Sequence, residues 1–110
     1  MKIEKCINLD FLAIKNTDEL YDSLSKKLGF PDFFGRNINA LIDCLSGLRY
    51  PEEGMISVNV SNKGCLSLNI SNFSQSTELL KNIIIFSVGA VNKRYAEKGL
   101  EPALLLCLIE

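Results

Sequence analysis

Leu28-Gly-Phe-Pro-Asp-Phe-Phe-Gly-Arg-Asn-Ile-Asn-Ala-Leu-Ile-Asp-Cys-Leu-Ser-Gly-Leu48 is the segment from which the architecture of this chain can be read. Pro31 fixes its own φ and biases Phe30 toward extended geometry, so a preceding helix must end near Gly29. Phe33 and Phe34 place two aromatic rings side by side in a short loop. Gly35 permits backbone angles that most residues avoid. Asn37 is a good N-cap, and Ile38, Leu41, Ile42, Leu45 and Leu48 follow at helical spacing. Projected at about 100° per residue, the apolar side chains gather on one side. Arg36, Asn39 and Asp43 gather on the other, with Ser46 at its margin. The segment predicts a short amphipathic helix that shows an amide and a carboxylate one turn apart, entered through an aromatic loop.

Working outward, Ile3 to Leu9 reads as a first strand. Asn16 or Thr17 can cap a helix, with Glu19 in the capping-box position after Asn16. Leu20, Leu24 and Leu28 form a stripe that predicts a helix over Thr17 to Leu28, with Lys26 and Lys27 favourably placed in its last turn. Beyond the central helix, Arg49 to Gly54 is turn-rich. Met55 to Val60 and Cys65 to Ile70 both alternate apolar with polar residues, which predicts two strands joined by a turn at Ser61-Asn62-Lys63-Gly64. Ser74 to Thr77 offers caps for a helix that buries Leu79, Leu80, Ile83, Ile84, Phe86, Val88, Val91 and Tyr95 and stops at Gly99. Ala103 to Ile109 is almost continuously apolar, the pattern of a strand covered on both faces. The expected fold is α/β. Residues 1–110 form a single domain, one layer of mostly parallel strands covered by helices, in the order β-α-α-β-β-α-β.

Composition narrows the function. The chain has 110 residues, 47% of them apolar and 23% charged, which suits a globular domain. A formal net charge of −1 predicts no direct nucleic-acid partner and no membrane partner. The absence of His excludes a His-dependent triad and a His-ligated metal. Cys6, Cys44, Cys65 and Cys107 lie far apart and form no Cys-x-x-Cys pair, which argues against zinc and thioredoxin-like readings. The charged start, Met1 to Lys5, is unlike a secretory signal, so the expected setting is the reducing cytosol. Gly-rich phosphate motifs are absent, and no catalytic constellation is visible, so neither an enzyme nor a cofactor is expected.

The order Leu28, Pro31, Phe33, Phe34, Gly35, Asn37, Ile38, Asn39, Ala40, Leu41, Asp43, Cys44, Leu45, continued by Ser46-Gly47 and Tyr50-Pro51, resembles the barstar family of intracellular ribonuclease inhibitors. That family has one strand between its second and final helices, so the two strands suggested over Met55–Ile70 imply an extra hairpin strand here. The resemblance implies a stoichiometric inhibitor or immunity protein that blocks the active site of a nuclease toxin, a ribonuclease, with the 33–48 loop and helix. The partner-binding residues it implies are Phe33, Phe34, Gly35, Arg36, Asn37, Asn39, Ala40, Asp43, Ser46 and Leu48. Asp43 then stands for the substrate phosphate among the enzyme's basic groups. Asn39 replaces a second carboxylate, Ile42 and Leu48 replace aromatics, and Arg36 and Arg94 fall where acids are expected. The implied interface is therefore much less acidic than that of barstar. A regulatory or interaction module with a partner other than a nuclease is the alternative. Each residue also has a plainer reading. One of the two Phe rings can close the core against the first helix, Asn37 can be only a cap, and Asp43 can be an ordinary exposed helix residue.

Overall fold

A computed structural model describes residues 2–110. Strand β1 (Lys2–Asp10) leads to helices α1 (Thr17–Leu28) and α2 (Ile38–Leu45). Short 3-10 turns at Ser46–Arg49 and Pro51–Glu53 follow, then strand β2 (Gly64–Ser71), helix α3 (Glu78–Glu97) and strand β3 (Leu104–Ile109). The three strands are parallel, in the order β1-β2-β3. The α/β class, the parallel sheet and the helix cover are as the sequence predicts.

Each helix forms for a local reason. Asn16 caps α1, accepting from the Glu19 N–H at 2.9 Å, and the Leu20–Leu24–Leu28 stripe is fully buried. Asn37 caps α2, accepting from the Ala40 N–H at 2.8 Å, and Thr77 caps α3. The strand-like run Ile83-Ile84-Ile85-Phe86 lies within α3. All three helices share a core with Leu66, Leu68 and Ile70 of β2.

Gly29 ends α1 at φ +70°. A Cβ built there would lie 2.5 Å from the Ser57 side chain. Gly29→Ala is expected to lower stability by about 2 kcal/mol, combining the left-handed penalty with overpacking. A urea denaturation curve measures it, and an unchanged midpoint would show that the loop over Gly29 yields freely.

Three expectations are corrected. Met55 to Val60 is not a strand, and Ser61 to Gly64 closes no hairpin. The segment lies irregularly over helix ends. The Ser57 and Val58 N–H groups donate to the Leu28 carbonyl, Ser57 also reaches the Gly29 carbonyl, and the Val60 N–H donates to Leu48. Unpaired carbonyls at the end of α1 thus take the donors that a partner strand would have taken. Ile56 and Val60 are buried, which accounts for the alternation without a ladder. The element order is β-α-α-β-α-β, with no extra strand among the described residues.

The second correction concerns Ala103 to Ile109. This strand lies at an edge, and the strand buried on both faces is β2. Leu108 and Ile109 are nearly half exposed. The third concerns α3, where Leu79 and Phe86 are 60% and 62% exposed, while Leu80, Ile83, Ile84, Val88, Val91 and Tyr95 are buried as predicted.

Candidate functional site

The loop before α2 separates its two aromatics. A turn closed by the Phe34 N–H on the Pro31 carbonyl (3.0 Å) sends the rings in different directions. Phe34 packs against Phe30 (centroids 4.9 Å) and edge-on to Tyr21 (5.8 Å). Phe34 therefore closes the core against α1. Phe33 is 75% exposed, with a large apolar surface free for a partner.

Arg36 adopts φ +53°, a left-handed conformation uncommon for a non-glycine residue. Its guanidinium is directed onto α1, donating to Asp22 Oδ1 at 2.6 Å and to the Asp18 carbonyl at 3.0 Å. The bond to Arg36 holds the Asp22 carboxyl below its ordinary value. The cation that the sequence places on the binding face is thus met by two acids of α1, and it fastens the loop to that helix.

Asn37 caps α2 through Oδ1, and its Nδ2 reaches the Gly35 carbonyl at 3.3 Å. Ala40 is half-buried, beside an exposed Asn39. With Phe33, Phe34, Gly35, Asp43, Cys44 and Met55 it lines a hollow of about 260 Å³. Asn37 and Asn39 line another hollow, of about 430 Å³, with Leu79 on its far wall.

Asp43 stands on α2 with its side chain 55% exposed. Arg94 of α3 donates to its Oδ1 at 3.0 Å and to Ser46 Oγ at 3.1 Å. Ser46 Oγ in turn donates to the Ile42 carbonyl at 2.6 Å. Arg94 reaches the second half of α2, whereas Leu79 of α3 lines the hollow beside the start of α2, so α2 and α3 run in the same general direction. The loop, the polar side of α2 and the flank of α3 form one face. The carboxylate on it is preorganised by the buried Leu41, Ile42, Cys44 and Leu45 behind it.

Leu48 does not belong to this face. It is fully buried, because the chain tightens into the 3-10 turn after α2 and carries its side chain into the core. The sequence reading misses Met55 and Leu79 as lining residues, and it misses Arg49. Arg49 is 6% exposed, and its guanidinium donates to the carbonyls of Gly64 (2.7 Å), Glu101 (2.7 Å) and Pro102 (3.0 Å). Only its position in a turn-rich segment was visible in sequence. Burial and the adjacent Asp43 carboxylate push the Cys44 thiol up to about 11, so it stays protonated at neutral pH and is a poor nucleophile. Among the described residues no group of three His, Cys, Asp or Glu side chains could hold a metal ion, and no helix is long and apolar enough to cross a membrane.

A parallel three-stranded sheet under helices, with a capped amphipathic helix presenting a carboxylate beside an aromatic loop, defines a small α/β domain with one exposed polar and aromatic face. The family model described as "Barstar (barnase inhibitor)" matches residues 4–106, and the chain belongs to that family. Over 41 residues it is 49% identical to the "Putative ribonuclease inhibitor YrdF" of Bacillus subtilis (strain 168). That stretch is 37% of this chain and 45% of the relative, so the match spans less than half of the relative's length.

Proposed function

We propose that this chain is a stoichiometric protein inhibitor of a ribonuclease, an immunity protein that blocks a nuclease toxin in the cytosol. Residues Phe33 to Ser46 enter the partner's active site. The observation that carries this reading is the Asp43 carboxylate, half-exposed on a helix fixed from behind by its apolar face. Such a group accepts two parallel hydrogen bonds from an Arg and so can replace a substrate phosphate. Phe33 adds apolar contact beside it, and Asn37 and Asn39 add amides. Membership of the barstar family and the name of the Bacillus relative support the same class of partner. Titration of barnase, and of any nuclease toxin domain encoded beside this gene, is expected to abolish RNA hydrolysis at one equivalent of inhibitor. Undiminished hydrolysis by both at excess inhibitor would overturn the reading.

The Asp43–Arg94 pair favours a second reading, in which the partner is not a basic active site. Arg94 partly neutralises the proposed phosphate mimic. Against a basic active site, Arg94→Gln is expected to tighten binding roughly tenfold, about 1.4 kcal/mol, by removing a like charge. A weakening of similar size would show that the partner supplies an acid for Arg94, as in an interaction module without a nuclease partner.

A further inference from the structure

The sheet has two edges, and they are built differently. β1 carries Lys2, Glu4 and Lys5, and its register with β2 is broken between Ile3 and Lys5. Charges and an irregularity of this kind block edge-to-edge pairing. β3 reads Leu-Leu-Leu-Cys-Leu-Ile, with no charge, proline or register break from Leu104 to Ile109. Its backbone is only half used. The Ala103 carbonyl accepts from Leu66 and the Ile109 carbonyl accepts from Asn72, which places residues 103, 105, 107 and 109 toward β2. Residues 104, 106 and 108 therefore turn their N–H and C=O outward. The Asn92 side chain occupies those of Leu104, accepting from its N–H at 3.1 Å and donating to its C=O at 2.9 Å. The outward groups of Leu106 and Leu108 face the open edge.

We propose that β3 pairs antiparallel with β3 of a second copy of this chain, about a two-fold axis at Cys107. The strand is its own complement in that register. Leu106 meets Leu108 of the second copy as a hydrogen-bonded pair, so the free backbone groups are the ones that join. Cys107 faces its own equivalent in a non-hydrogen-bonded pair, and Leu105 faces Ile109. The pairs from Leu105 to Ile109 are all apolar, and each lies on a single face of the combined sheet, as the two-residue period requires; Leu104, whose outward groups Asn92 occupies, falls opposite Glu110 outside this ladder. Exposed apolar surface is available to cover the join. Cys107 is exposed, Leu108 and Ile109 are nearly half exposed, and so is Ile85. Ile85 lies seven residues before Asn92 and shares its side of α3, above the edge. The pairing is isologous and closes at two copies. Arg94, nine residues after Ile85, lies on the opposite side of α3. The face around Asp43 therefore remains open in each copy, and the dimer presents two of them.

Sedimentation velocity of the full chain across a concentration series, under reducing conditions, is expected to show conversion to twice the monomer mass. Cys107→Lys, which sets two cations opposite each other at an exposed position, should remain monomeric with an unchanged circular dichroism spectrum. Leu108→Lys should do the same. In a Cys6→Ser background, which leaves the edge untouched, diamide should cross-link the dimer through Cys107. In that reaction two thiols give up two electrons and two protons to the diamide and form one S–S bond. A monomer at every concentration would overturn the proposal, whether or not it takes up an extended apolar peptide. So would a dimer that survives both lysine variants, or one whose cross-link fails to form at Cys107.

Discussion

Asp43→Ala is expected to weaken the proposed complex with a ribonuclease by on the order of 2–5 kcal/mol, the range typical of truncating one member of a buried, hydrogen-bonded interfacial charge pair. The reason lies in what holds the side chain. Asn37 starts α2, and four buried residues fix its rotation, so the carboxylate loses little freedom when a partner desolvates it. Truncation then leaves the partner's cations buried without a counter-charge. Glu52→Ala and Glu53→Ala serve as comparisons. Both are exposed in the turn after α2, and wet carboxylates of that kind alter association rate more than affinity. Asn39→Ala should fall between, since it removes hydrogen bonds without removing charge. Asp43→Ala also frees Arg94 from its ion pair, which adds a like charge against a basic active site. Calorimetric titration with the inhibited ribonuclease measures all four. A folded Asp43→Ala variant that binds as tightly as the parent chain would sink the phosphate-mimic reading and leave only the shared scaffold.

What could be read in the sequence was what local chemistry determines. The Asn16 and Asn37 caps, the leucine stripe of α1 and the polar side of α2 depend on residues a few positions apart, and all stand where their spacing puts them. The helix through Ile83 to Phe86 was legible because its period continued beyond the strand-like run. The misreadings share a cause, which is that burial is set by distant neighbours. An irregular segment lying over helix ends buries alternate residues as a strand does, so Met55 to Val60 was ambiguous. An apolar run looks the same at an edge as in the middle of a sheet, so Leu104 to Ile109 could not be placed. In the site, Asp43 was legible because a helix projects it outward. The directions of Arg36 and Arg94 were not, since each is decided by an acid on another helix. For Leu48 the resemblance implied an interface and the helical spacing implied the core. The spacing prevails.

Arg49 supplies the link between this scaffold and the proposed binding face. Arg49→Met is expected to lower stability by on the order of 3 kcal/mol. The guanidinium gathers main-chain carbonyls from the start of β2 and from the segment leading into β3, 15 to 53 residues away in sequence. It also lies 5.0 Å from the centre of the Tyr95 ring. Tyr95 donates its hydroxyl to the Ser46 carbonyl at 2.8 Å and accepts from the Arg49 N–H at 3.3 Å, so the end of α2 is held by the same cluster. Met fills similar volume but leaves the Gly64, Glu101 and Pro102 carbonyls without this donor, at roughly 1–3 kcal/mol for each that stays dry. It also forfeits a cation–ring contact worth about 1–2 kcal/mol. The desolvation cost of the charge disappears with it, which offsets part of the sum. Arg49→Lys should recover little, because one ammonium cannot span three carbonyls as a planar fork does. Urea denaturation measures the loss. Amide exchange then separates this account from a general weakening of the core. Protection of the Tyr50 N–H, which donates to the Gly47 carbonyl in the turn after α2, should fall more than the global stability change requires. Equal loss of protection in α1 and α3 would mean that Arg49 is merely one more buried side chain and does not fix the attitude of the helix that carries Asp43.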